Sequence, residues 1–169
     1  MKEVLQVIEE LGKVIESENK IREELGAVPL RPTAIRILGQ MSLLLNDDVS
    51  SQIRLFATQD VDAHIEGDSF VAESFRRLLG ERNLEFDFLS TEIWIPADAS
   101  YIRIYDSQRL SCEILDPISA LVSKAIKAPE KNWNLIQKAL EIYGDELASK
   151  IRNHGGDPAI FKQQKKYEL

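Results

Sequence analysis

The stretch FATQDVDAHI, Phe56 to Ile65, carries two aspartates one residue apart in a run that otherwise alternates polar and apolar residues. Side chains alternate across a strand, so Asp60, Asp62 and His64 share one face while Val61, Ala63 and Ile65 share the other. Two positions along a strand span roughly 6.6 to 6.8 Å, and carboxylates at that separation can lean together onto a cation held at about 2.0 to 2.6 Å. Without a cation they repel, by on the order of 1 kcal/mol in water and several-fold more in a cleft of low dielectric. Oxygen-only ligation favours magnesium, manganese or calcium over zinc. An EF-hand loop beginning at Asp60 is excluded, because Ile65 stands where glycine is required and Val71 where the bidentate glutamate belongs. The competing reading of the pair is two solvated acids at a strand end. His64 continues the acidic face but lacks partner ligands in the sequence, and reads as a hydrogen-bonded structural group. A third carboxylate, Asp87, lies in the next alternating stretch, NLEFDFLS.

Holding such acids together calls for a sheet. TAIRIL, the Phe56 to Ile65 stretch, NLEFDFLS, EIWIP, YIRIY and SCEIL all read as short strands. Gly39 closes the first and opens a helical piece, QMSLLLN, whose first backbone N–H groups would make a seat for phosphate. NDDVSSQ reads as a turn-rich connection, and Asp68 or Ser69 as the cap of the helix FVAESFRRLLG, which stops at Gly80. Residues 2 to 25 repeat apolar side chains at helical spacing, and the two prolines of AVPLRP then break the helix. Beyond Asp116, an N-cap with Pro117 at the first helical position, the chain reads as helices: ISALVSKAIK, EKNWNLIQKALEIY, DELASKIRN and PAIFKQQKKY. This order predicts an α+β (α/β) fold with a small sheet and one core. The 169 residues divide into an N-terminal helical extension over 1–26, an α/β core over 28–115 and a C-terminal helical part over 116–169 of a single domain.

Composition narrows the class. With 44% hydrophobic and 29% charged residues, the chain can bury an interior without disulfides or structural metal. Cys112 is the only cysteine, so no internal disulfide forms; it reads as a small buried hydrophobe in a reducing cytoplasm. A net charge of −7 opposes unspecific adhesion to nucleic acid and anionic lipid. No apolar run approaches the ~18 to 20 residues of a membrane span, and MKEVLQVIEELGK has glutamates where a signal peptide is apolar, so a cytoplasmic protein with no membrane partner is expected. One cysteine and two histidines outside signature contexts argue against covalent hydrolase chemistry, and no GxxxxGK loop occurs. Trp94 and Trp133 read as core packing. Lys124 reads equally as a phosphate contact or a snorkelling surface lysine.

Four stretches, RILGQMSLLL, RLFATQDVDAHI, LEFDFLS and LDPISALVSKAIKAPEKNWNLIQKAL, together resemble the nucleotidyltransferase-fold superfamily, in particular its small prokaryotic branch related to the abortive-infection type IV toxin nucleotidyltransferases. The similarity runs from Pro32 to Ala139. It implies a small mixed sheet of the nucleotidyltransferase type flanked by helices. It also implies that Gly39, followed by Gln40, opens the nucleotide-binding helix, that Asp60 and Asp62 are the metal pair, and that Asp87 is the third carboxylate. Thr58 resembles the family's small hydroxyl residue before the pair, Arg54 lies near the place of its arginine, and Lys124 resembles the lysine of the helix after the sheet. The implied activity is Mg2+- or Mn2+-dependent transfer of a nucleoside monophosphate from an NTP to a hydroxyl of RNA, protein or a small molecule. Gln40 stands where the family has Gly or Ser, and Asn132 and Asn134 stand where related sequences tend to carry acids. These departures favour an alternative: a non-catalytic binding module, one half of a toxin–antitoxin pair, whose N-terminal helix docks a protein partner.

Overall fold

A computed structural model describes residues 2–87 and 93–162, the side chain of Asp87 excepted. Along these residues run α1 (Lys2–Glu24), β1 (Thr33–Ile37), α2 (Gly39–Leu44), α3 (Asp47–Gln52), β2 (Asp60–Glu66), α4 (Ser69–Gly80), β3 (Glu85–Asp87), β4 (Tyr101–Asp106), β5 (Leu110–Leu115), α5 (Pro117–Lys127), α6 (Trp133–Asn153) and a 3-10 helix (Pro158–Lys162). The strands form one mixed sheet of order β3-β2-β1-β5-β4. At its centre β1 pairs parallel with β5 and antiparallel with β2, which pairs parallel with β3. The fold is therefore mixed α+β, a five-stranded sheet flanked by helices.

Alternation along the strands decides which face is covered. Ile35 and Ile37 of β1, Val61 and Ala63 of β2 and Cys112 and Ile114 of β5 are buried on one face. Val4, Val7, Ile8, Leu11 and Ile15 of α1 and Val71, Phe75, Leu78 and Leu79 of α4 pack onto them as one core cluster. The first helix is thus part of the interior rather than an appendage, since its apolar stripe has this sheet face to bury against. The opposite face is polar. Arg36 of β1 pairs with Glu66 of β2 at 3.0 Å and with Glu113 of β5 at 3.4 Å, and Arg103 of β4 pairs with Glu113 at 3.0 Å.

The expectation of a single core is corrected. A second apolar cluster forms beyond the sheet end, from Leu38, Leu43, Val49, Ile53, Leu115, the inner faces of α5 and α6, and Phe161. The Trp133 and Phe161 rings pack with centroids 5.3 Å apart and planes tilted by 55°, and Trp94 also packs here. Three local expectations change as well. NDDVSSQ is a helix, α3, because the Asn46 side chain accepts from Val49 N–H and caps it. The strand in FATQDVDAHI begins only at Asp60, since the Gln40 amide takes the Phe56 carbonyl at 3.3 Å and Thr58 Oγ1 takes Asp60 N–H at 3.1 Å ahead of the ladder. Ile93 to Pro96, the described part of EIWIP, is not a strand; Trp94 O accepts instead from the Ser123 hydroxyl of α5 at 2.5 Å. Phe88, the rest of NLEFDFLS, and the tail from Gln163 onward lie outside the described residues. Among the described residues no helix is long and apolar enough to cross a membrane.

Candidate functional site

The site forms where β1 and β5 end, β2 begins, and α2 and α5 depart. Leu38 N–H donates to Asp62 O at 2.8 Å, fixing the turn after β1 against the start of β2. Gly39 follows with φ 59°, in the left-handed region that favours glycine. Asp62 lies over this turn so closely that a Cβ at position 39 would run into its carboxylate. Glycine is required here twice over, by backbone conformation and by the close approach of Asp62.

A cavity of about 510 Å3 opens beside this turn. Gly39, Gln40, Thr58, Asp60 and Asp62 form one wall, and Lys124, Lys127, Lys131, Asn132 and Asn134 from α5, the following loop and α6 form the other. Acids therefore face amines across one space. Lys124 is held below the usual lysine range, first by burial and then by the nearby Lys131, with Asp62 acting the other way. Its ammonium is short of solvation, a condition that an anion in the cavity would relieve.

Neighbouring contacts fix the basic wall. Lys127 Nζ sits 5.9 Å from the centre of the Trp94 ring, a cation–π distance. Trp94 is held by Ser123 and packs edge-on against His154 at 5.7 Å. His154 in turn bonds Asp98 at 2.8 Å, and Lys150 bonds the other oxygen of the same carboxylate. Asn132 Nδ2 donates to Ala128 O at 2.9 Å, joining the end of α5 to the start of α6.

The cavity brings together Gly39, Gln40, Thr58, Asp60, Asp62 and Lys124, all singled out from the sequence. Arg54 does not line this cavity. It is exposed in the 53–59 loop and lines an adjoining cavity instead, because α3 and that loop carry it past α2 before β2 starts. The β3 register sets residue 87 beside Asp62, but the Asp87 side chain lies outside the described residues. His64 is exposed on the same face of β2 and lines a different cavity, alongside α4. α2, which Gly39 opens, has six residues, so few aligned peptide dipoles stand behind its first N–H groups, and Lys124, Lys127 and Lys131 are the cationic side chains lining the cavity. Lys127 and Lys131 are the residues missed, although their spacing from Lys124 along the helix and its exit was a usable signal.

For a divalent cation, two carboxylates lining one cavity are a fitting donor pair of hard oxygens. Among the described residues no group of three or more His, Cys, Asp or Glu side chains is gathered to hold a metal ion. Compared with models of known families, with curated proteins and with solved structures, the chain finds no match in any of the three.

Proposed function

We propose that the chain is a nucleotidyltransferase-fold enzyme that moves a nucleoside monophosphate from an NTP to a hydroxyl acceptor on RNA, protein or a small molecule. The observation that carries this reading is the single cavity in which Asp60 and Asp62 face Lys124, Lys127 and Lys131. Asp60 and Asp62 would hold Mg2+ or Mn2+, with Asp87 from the neighbouring strand completing the set. Such an ion, when bound, neutralises charge on the phosphates and aligns attacking and leaving oxygens. The chain's own residues supply the rest. Lys124, desolvated beside Asp62 and Lys131, pairs with phosphate oxygens; Lys127 and Lys131 extend that contact along a polyphosphate. Gly39 takes the left-handed backbone of the turn and leaves room for the Asp62 carboxylate at the cavity. Asp87 takes the proton of the acceptor hydroxyl as its oxygen bonds the α-phosphorus and pyrophosphate departs. The test is transfer of labelled nucleotide in Mg2+ or Mn2+ by the wild type, Asp60→Asn and Asp62→Asn. Both variants are expected to lose at least a hundred-fold in rate, and equal rates in all three would end the assignment.

A second reading, a non-catalytic binding module in a toxin–antitoxin pair, draws on Gln40 in the cavity wall and on Ile21, Leu25 and Val28, which leave an apolar strip exposed at the end of α1. Against it stands the rest of α1, packed within its own domain. In the assay above this reading requires a wild type with no transfer activity for any NTP.

A further inference from the structure

The Asp60 and Asp62 cavity has a neighbour of different character. A second cavity of about 440 Å3 shares Gln40, Phe56, Asn134 and Leu135 with the first. Ile53, Leu55 and Leu135 give it apolar lining, while Asn134 and the amide oxygens of Gln40 and Gln52, whose nitrogens bond Phe56 O and Asp48 O, add hydrogen-bonding groups. Arg54 and Lys138 lend it positive charge. Phe56 stands between the two spaces with 83% of its surface exposed, although the bond from Gln40 to its carbonyl anchors its backbone. A large aromatic ring left in water on an anchored backbone, beside apolar lining and amide edges, suits a flat ring with a hydrogen-bonding rim.

We infer that the second cavity seats a nucleobase, stacked on Phe56, belonging to a nucleotide whose phosphates lie in the first cavity. The inference rests on the proposed function and names the specificity element of the same site. Two sources share this chemistry, the base of the donor NTP and the terminal base of a nucleic-acid acceptor. The 53–59 loop that carries Phe56 and Arg54 links α3 to β2, so one chain segment brings the base seat and the metal pair together.

The probes are the four NTPs and inorganic tripolyphosphate, each with Mn2+, and a short single-stranded oligonucleotide with a free 3′ hydroxyl. Affinities are measured by calorimetry for the wild type, Phe56→Ala and Phe56→Trp. Because Phe56 is exposed, folding should survive, and unchanged circular dichroism checks it. The expected result is that at least one NTP binds the wild type more tightly than tripolyphosphate. Phe56→Ala should then lower that NTP's affinity about ten- to a hundred-fold and Phe56→Trp restore it, with tripolyphosphate unmoved. If NTP affinity stays put while oligonucleotide affinity falls and returns in the same way, the base seat stands and its occupant is the acceptor's. Binding of NTP and tripolyphosphate that no Phe56 variant alters, with the oligonucleotide equally indifferent, overturns the inference and leaves the nucleotidyltransferase reading in place. A wild type that ignores tripolyphosphate yet binds oligonucleotide through Phe56 overturns that reading and keeps the base seat. No binding of any probe overturns both.

Discussion

Lys124 illustrates how a residue of a candidate site can work against the fold that carries it. Its charge is partly desolvated among α5, Asp62 and Lys131, and burial is the largest cause of its lowered pKa. For a base held below its ordinary value, the unfolded chain keeps the proton to higher pH than the folded one. Lys124 therefore weakens the fold at neutral pH, and that penalty fades as pH rises toward the unfolded value near 10.5. Lys124→Met, which keeps the stem and removes the charge, is expected to stabilise the protein by about 0.5 to 2 kcal/mol in urea unfolding at pH 7. The same variant should bind tripolyphosphate with Mn2+ at least ten-fold more weakly. A variant less stable than wild type would mean that attraction to Asp62 outweighs desolvation. At this scale the sequence was most informative for residues whose type implies chemistry: Asp60 and Asp62 stood out by spacing, Gly39 by its place between a strand and a helix and Thr58 through the resemblance, and all four line one cavity. Phe56 did not stand out, because an aromatic residue before an alternating run looks like the start of the strand, and only the side-chain bonds of Gln40 and Thr58 keep it out of the ladder.

Elements with their own caps and breakers were read well, and elements defined by contact with distant residues were not. Asp116 accepts from Ser119 N–H at 3.1 Å ahead of Pro117, as the N-cap pattern predicts. Between residues 93 and 96 the apolar spacing resembles a strand, but the Ser123 hydroxyl of α5 takes the Trp94 carbonyl, and the Asp98 carboxylate further on is bonded by Lys150 of α6 and by His154 just past its end. The last long helix shows both effects. Gly144 separates the two helical stretches expected from the sequence, and in the structure α6 breaks there as well: Gly144 has non-helical φ 52° and ψ −128°, a kink between two helical halves. Only glycine occupies that region at low cost. On either side of it Ile136, Ala139, Leu147 and Ile151 enter the second core, so the bend aims both halves at the same cluster. Gly144→Ala is expected to cost about 1 to 3 kcal/mol, since either the strained backbone is kept or one half swings off the core. Thermal unfolding measures this, and a change under ~0.5 kcal/mol would mean that the bend is not needed for packing.

Across the whole molecule there are two apolar clusters, and the candidate site borders the second, through Ile93 and Leu135. The surface holding these layers together is electrostatic and asymmetric in pH. Asp98 is held below the usual carboxylate range first by its bond from Lys150 and then by His154. Asp68 is held down by Arg31, whose backbone N–H it accepts at 2.7 Å, and Glu113 by Arg103 and then Arg36. All three are lowered in the folded state, so the unfolded chain binds protons first as pH falls. Their contribution is present above the unfolded values near 4 and is lost as pH drops through the folded ones. Stability should therefore be flat from pH 7 to about 5 and fall below about 4. The ties differ in what they join: Glu113 links β5 to β4 and β1 across the open sheet face, whereas Asp98 fastens the 93–99 segment, which bears Trp94, to α6. Glu113→Gln and Asp98→Asn should each flatten the acid limb of urea unfolding measured against pH. Asp98→Asn alone should also loosen Trp94, raising the quenching of its fluorescence by acrylamide at pH 7. Equal acid limbs in wild type and both variants would show that exposed pairs contribute nothing net here, as isolated surface ion pairs often do not.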